Sequence, residues 1–316
     1  MQNFGFIFPG QGSQKLGMLS NLASKSSVIE STFAEASDIL GLDLWEVTQS
    51  DEKNILGQTE ITQPVLLTAS IAIWRVWQDM TDLKPSVVAG HSLGEYSALV
   101  CAQSINFRDA VRIVHKRGQI MQAAVKKGDG KMASIIGLGD AEVTRLCNEA
   151  SSETGIVSAA NFNSPGQTVI AGDTESVNRA IEFCKKAGAK RVLLLNVSVP
   201  SHCDLMKPAA ELLERELASV EIKAPNVAVI QNADGKLGGE PERIKQNLIK
   251  QLYSPVLWVD CVKEIHKAGF YVLIECGPGK VLSGLVKRIE SDIRCSGSDS
   301  EEAIETALAD LTTKSL

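Results

Sequence analysis

Gly90-His91-Ser92-Leu93-Gly94-Glu95 decides how this chain of 316 residues is read. The segment before it, Pro85-Ser86-Val87-Val88-Ala89, is short, apolar and β-branched, and predicts a buried parallel strand. From Leu93 to Ala102 no proline or glycine follows Gly94, and Tyr96, Leu99 and Val100 share one side, which predicts a helix. A serine on a sharp strand-to-helix turn, with a glycine two residues to either side, is the arrangement of a nucleophile elbow. The helix start directs unpaired N–H groups and a positive dipole end at any negative charge that forms beside Ser92.

The flanks repeat this alternation. Phe4 to Phe8 reads as a first buried strand ending in Pro9-Gly10-Gln11-Gly12, and residues 59–82 as a helix apolar nearly all round. Gly10-x-Gly12 lacks the third glycine of a dinucleotide turn, and Cys276-Gly277-Pro278-Gly279-Lys280 lacks the spacing of a phosphate loop, so both nucleotide readings fail. The turn at Gln11 is either a plain tight turn or the donor of one backbone N–H to the active centre. Beyond Lys126-Lys127-Gly128 the pattern changes to β-α-β-β-α-β: strands at 132–138, 156–162, 167–171 and 191–199, helices at 140–151 and 174–187, with Asn163-Ser164-Pro165-Gly166 as the hairpin turn. That order is the ferredoxin-like split motif. The expected architecture is an α/β fold: a hydrolase-like core with a mostly parallel sheet at 1–126 and 199–316, and a small ferredoxin-like α+β insertion at 127–198.

Composition bounds the function. With 44% hydrophobic and 22% charged residues, the chain has ample core for about two domains. No apolar run approaches a membrane span, and no basic residue precedes the first apolar stretch as in a signal peptide. Seven scattered cysteines, an odd number without Cys-x-x-Cys spacing, point to reduced thiols in the cytoplasm and to neither disulfides nor zinc. A net charge of −6 argues against general nucleic-acid binding, and four histidines against a histidine-rich metal centre. No cofactor is expected.

Of those histidines, His202 is the best candidate base, because it follows strand and proline at a loop beside the interdomain cleft. His91 is expected to point away from Ser92, and His115 and His266 to lie exposed on helix faces. Ser92 and His202 supply the minimum for acyl transfer through a covalent intermediate. The N–H groups of Leu93 and Gln11 can form an oxyanion hole. No acidic residue commends itself as the orienter of His202, and a carbonyl can do that work. Asn106 and Asp109 resemble a capping box for a helix to about Val125, whose apolar stripe contains Arg117. A guanidinium there is costly without a partner; the partner is a structural carboxylate or solvent, or an acyl group ending in a free carboxylate.

Several motifs in order resemble the malonyl-CoA:acyl-carrier-protein transacylases of bacterial type II fatty acid synthesis. They are Phe8-Pro9-Gly10-Gln11-Gly12-Ser13-Gln14, Gln63-Pro64, Gly90-His91-Ser92-Leu93-Gly94-Glu95-Tyr96, Arg117-Gly118, Asn161-Phe162-Asn163-Ser164-Pro165-Gly166-Gln167, Val199-Pro200-Ser201-His202 and Glu275-Cys276-Gly277-Pro278-Gly279. The resemblance implies ping-pong transfer of malonyl from coenzyme A to the phosphopantetheine thiol of the carrier protein. It implies Ser92 as nucleophile and His202 as base, steadied by the main-chain carbonyl of Gln251. It further implies that Arg117 holds the malonyl carboxylate, that Gln11 and Leu93 form the oxyanion hole, and that Asn161 lines the site. A serine hydrolase, or an acyltransferase for another acyl-CoA, shares part of this constellation and stays open. The protein is expected to be a cytoplasmic monomer. An acidic carrier protein meeting a chain of −6 needs a local positive patch, expected where Lys190-Arg191 and Lys287-Arg288 converge, with Lys126-Lys127 as a weaker candidate.

Overall fold

The computed structural model describes residues 3–126, 128–195 and 199–312. Its strands are β1 (Gly5–Phe8), β2 (Val87–Gly90), β3 (Gly130–Ile136), β4 (Val157–Ser164), β5 (Gln167–Asp173), β6 (Arg191–Leu194), β7 (Ala228–Ile230), β8 (Leu237–Gly238), β9 (Val272–Glu275) and β10 (Arg294–Gly297). They form a mixed α/β structure of two sheets. The larger has the order β10-β9-β1-β2-β7-β8 and is parallel throughout except at β7–β8.

Strands β1, β2 and β9 are buried on both faces, which is why they read as continuous apolar runs. Alternate residues serve opposite layers. Phe6, Phe8, Val88 and Ile274 pack with the helix Thr59–Met80 and its neighbours, while Ile7, Val87, Ala89 and Leu273 pack with the helices Trp258–Lys267 and Val281–Ile289. In the first layer Phe6 meets Trp74 and Trp77 edge to face at 5.4 and 5.2 Å, a geometry that adds to simple burial. Because β1 continues to β2 on one side and lies against β9 on the other, the carboxyl ends of these strands flank a crevice. Such crevices hold the ligand in open α/β sheets.

The smaller sheet is antiparallel with the order β4-β5-β3-β6. Helices Asp140–Ala150 and Thr174–Lys186 cover the face carrying Ala133, Ile135, Val157 and Ile170. The other face, with Met132, Ala160, Val169 and Ala171, packs on Cys203. The β-α-β-β-α-β order read from the sequence is therefore present. Both ends of the expected insertion, Lys127 and Ser198, lie outside the described residues. The strand expected over 191–199 ends at Leu194, and residues 196–198 are likewise outside. The two sheets are stitched together where Phe162 N donates to Val256 O at 3.0 Å and Val256 N to Ala160 O at 2.9 Å.

Other expectations change at the surface. Strands β8 and β10 have no apolar alternation to announce them: Leu237-Gly238 is two residues, and Arg294-Cys295-Ser296-Gly297 is a half-polar edge. The two basic pairs lie on different elements. Arg191 opens β6, one edge of the smaller sheet, whereas the helix carrying Lys287 and Arg288 runs beside β4, the opposite edge. Of the weaker pair, Lys127 lies outside the described residues. All seven cysteines are unbridged, and six of them are buried.

Candidate active site

The elbow forms because the chain turns sharply between β2 and the helix Gly94–Cys101, with Ser92 in the left-handed region at φ 52°. Side chains are excluded on either side of it. A Cβ at Gly90 would lie 2.0 Å from the Gly94 carbonyl, and one at Gly94 would lie 2.0 Å from the Phe8 carbonyl oxygen. Asn232, just beyond β7, staples the turn: its Oδ1 accepts from Ser92 N at 2.7 Å and its Nδ2 donates to Gly90 O at 2.7 Å.

His202 also has a positive φ, 62°, and its backbone N–H donates to Leu252 O at 3.0 Å. Its Nδ1 lies 2.7 Å from the main-chain oxygen of Gln251, the last residue of the helix Pro241–Gln251. Helix-terminal carbonyls lack an intrahelical partner, so this one is free to accept. Since a carbonyl only accepts, the proton sits on Nδ1. Nε2 is then bare, 2.8 Å from Ser92 Oγ. Burial, and then the charge of Arg117, lower the imidazole pKa to about 3. His202 is thus a neutral acceptor aimed at the serine hydroxyl.

Arg117 lies on the inner face of the helix Phe107–Ala124, whose N-cap Asn106 accepts from Asp109 N at 2.8 Å. It is 1% exposed. Its Nη1 donates to Gln63 Oε1 at 2.7 Å and its Nη2 to Gln251 Oε1 at 3.0 Å; Nη2 also stands 3.5 Å from Ser92 Oγ. Its Cζ lies 5.7 Å from the centre of the Tyr96 ring, within cation–π range. Behind it, the buried Glu95 accepts from Gln231 Nε2, Asn232 N and Gln251 Nε2 at 2.8–3.0 Å. Burial pushes the Glu95 carboxyl up to about 7, while those donors favour its charged form.

Gln11, Ser92, Leu93, Arg117, Asn161 and His202 line one cleft between the carboxyl ends of the larger sheet and the open face of the smaller one. Among the described residues, the backbone N–H groups of Gln11 and Leu93 donate to no protein acceptor, and unpaired N–H groups beside a nucleophile can stabilise an oxyanion. Asn161 sits at a register shift in β4, a device that re-aims a side chain beside a site. Gln251, whose main-chain oxygen meets His202, is fully buried behind the cleft. A separate surface hollow lined by Glu30, Asp38, Asp43 and Trp45 contains no histidine or cysteine.

His91 borders the same cleft with its ring turned to the smaller sheet, Nε2 2.8 Å from Asn163 Oδ1, and packed on Trp258. Two other histidine expectations need correction. His115 and His266 are half-buried, because Glu60 O accepts from His115 Nδ1 at 2.9 Å and Asp292 Oδ2 lies 2.8 Å from His266 Nε2. Sequence reasoning gave no role to Asn232, Glu95 or Gln63. Only Gln63 carried a local signal, a carboxamide just before the apolar run Val65-Leu66-Leu67.

Residues 5–304 match the acyl transferase domain family. The chain is 53% identical over 308 residues to the malonyl CoA-acyl carrier protein transacylase of Salmonella typhimurium, covering 98% of this chain and 99% of that one. It is 41% identical over 311 residues to the protein of the same name from Bacillus subtilis, covering 98% of each. Among solved structures, the malonyl CoA-acyl carrier protein transacylase of Coxiella burnetii superposes with a TM-score of 0.96 at 47% identity, covering 99% of this chain and 98% of that one. A malonyl-transacylase solved in complex with a type II PKS acyl-carrier protein gives 0.95 at 51% identity, covering 98% and 100%.

Proposed function

This chain belongs to the acyl transferase domain family, and from that membership we infer that it moves a malonyl group from coenzyme A to the phosphopantetheine thiol of acyl carrier protein, in fatty acid biosynthesis. The observation that carries this reading is Arg117 Nη2, 3.5 Å from the Oγ of a serine that a bare imidazole nitrogen faces at 2.8 Å. In a malonyl thioester the carboxylate lies two bonds from the reacting carbonyl carbon. A guanidinium beside the nucleophile therefore suits that acyl group, whereas a plain esterase has no use for one.

The mechanism is ping-pong. His202 Nε2 takes the Ser92 proton as Oγ attacks the thioester carbonyl, and the Gln11 and Leu93 N–H groups meet the oxyanion. Collapse forms the malonyl-serine ester and expels coenzyme A as its thiol, which regains the proton from His202. The pantetheine thiol then gives its proton to His202, attacks the ester and leaves with malonyl, returning Ser92 to its hydroxyl. Gln251 steadies His202 through its main-chain oxygen, and Asn161 borders the acyl group. Coenzyme A enters and leaves as substrate, so no cofactor takes part. The larger sheet reads as a hydrolase-like core and the smaller as a ferredoxin-like insertion. A cytoplasmic monomer fits seven unbridged thiols and the absence, among the described residues, of a helix long and apolar enough to cross a membrane.

The carrier protein docks against two exposed basic pairs, Lys190-Arg191 at the start of β6 and Lys287-Arg288 at the end of the helix Val281–Ile289. Following each half-reaction by intact mass tests both claims. Malonyl-CoA alone should add one malonyl group per chain, and holo carrier protein should then remove it. With charge reversal at Arg191 and Lys287, the apparent Michaelis constant for carrier protein should rise about tenfold and its salt dependence flatten, while loading from malonyl-CoA stays within about twofold. Equal losses in both half-reactions would assign the pairs to coenzyme A or to the fold. Failure of malonyl-CoA to load the wild-type chain would overturn the function.

A further inference from the structure

A buried arginine ordinarily finds a carboxylate, because desolvating an unpaired charge costs several kcal/mol. Arg117 has none. Its close acceptors, Gln63 Oε1, Gln251 Oε1 and Ser92 Oγ, are all neutral, and its Nε has no hydrogen-bond partner among the described residues. The carboxyl of this network, Glu95, is held behind the Gln251 carboxamide: Gln251 donates to Glu95 Oε2 through Nε2 and accepts from Arg117 through Oε1. The guanidinium is therefore fixed in position with its charge uncancelled.

Gln63 is the more telling of the two carboxamides. It is 1% exposed within a helix of apolar neighbours, and its Nε2 meets Met121 Sδ at 3.5 Å. A methionine or leucine would suit the packing there, and a glutamate would suit the arginine. A glutamine suits neither of these as well, yet it alone provides an acceptor oxygen without a negative charge.

We propose that Gln63 is a specificity-determining positioning residue: its neutral carboxamide aims the Arg117 guanidinium without neutralising it, and the free carboxylate of the acyl group supplies the missing counter-ion. This rests on the malonyl-transfer reading above. A carboxylate at position 63 would close the ion pair within the protein, leaving the incoming acyl carboxylate with nothing to discharge. An uncharged acyl group would lose no partner by the same change.

The test is the ratio of malonyl to acetyl loading from the two coenzyme A thioesters, followed by intact mass in single turnovers. Wild type, Arg117→Ala, Gln63→Glu, Gln63→Leu and Met121→Glu are compared, each checked for a cooperative thermal melt. Gln63→Glu should lower the ratio on the order of 100-fold while acetyl loading stays within about tenfold of wild type. Gln63→Leu removes the hold and adds no charge, so its ratio should fall by less than about tenfold. A merely structural role would lower both substrates together and leave the ratio alone. Should Gln63→Glu fail to fold, Met121→Glu brings a carboxyl to the same corner from the neighbouring helix and carries the same expectation. An unchanged ratio in the folded glutamate variant, or an equal fall in Gln63→Leu, overturns the proposal. If wild type shows no preference for malonyl, or Arg117→Ala keeps it, the malonyl-transfer reading fails and takes this proposal with it. If those two behave as expected and Gln63→Glu does not, this proposal fails alone.

Discussion

Incubated with malonyl-CoA, Ser92→Ala should gain no mass, and His202→Ala should acquire its malonyl group roughly 10²–10⁴-fold more slowly than wild type. The first expectation follows from the cleft, where Ser92 Oγ is the hydroxyl held against a base. The second follows from the imidazole's two bonds. The Gln251 carbonyl fixes the proton on Nδ1, so Nε2 must accept from Oγ at 2.8 Å. Without it the serine attacks as a weak, un-ionised alcohol, though the free Gln11 and Leu93 N–H groups remain. The pH dependence should be unusual as well. An ordinary histidine would protonate, and stop acting as a base, as pH falls through 6.5. Here burial and Arg117 hold the folded pKa near 3, so loading should stay level well below neutrality. Stable malonylation of Ser92→Ala would sink the mechanism, and a loss of rate centred near 6.5 would show that the imidazole is not shielded.

The second large effect is on selectivity. Arg117→Ala should reduce malonyl loading about 10²–10⁴-fold, the loss expected when one partner of a desolvated, charge-assisted pair is removed. Acetyl loading should stay within about tenfold, because nothing in an acetyl group uses the guanidinium. Arg117→Lys should recover little. An ammonium cannot hold Gln63 and Gln251 at once and also present a planar fork to a carboxylate. In Arg117→Ala the acidic limb for acetyl loading should also move toward neutral pH. Arg117 is the second cause of the lowered His202 pKa, and removing a positive charge raises it. Single-turnover loading of both thioesters across pH checks all three. An equal fall for malonyl and acetyl would return Arg117 to a structural role.

What could be read in the sequence was what short-range pattern determines. The elbow shows because glycine, serine and glycine must lie together for β2 and the following helix to approach. The helix Thr59–Met80 shows because it is apolar nearly all round over its middle turns, and the smaller sheet because of its β-α-β-β-α-β order. What stayed hidden depends on partners far along the chain. Asn232 clamps a serine 140 residues away and Glu95 ties into Gln231, 136 residues on; neither leaves a periodicity or a motif.

Nucleophile and base share one backbone feature, a left-handed conformation that a glycine would adopt without penalty. Each costs on the order of 1–3 kcal/mol as a side-chain-bearing residue, so the chain is less stable than its own fold allows at these two positions. A directed-evolution campaign scored only by melting temperature will therefore be drawn to glycine at 92 and 202. Its winners will be hardy and inert, and screening for heat resistance in this scaffold must read turnover alongside it.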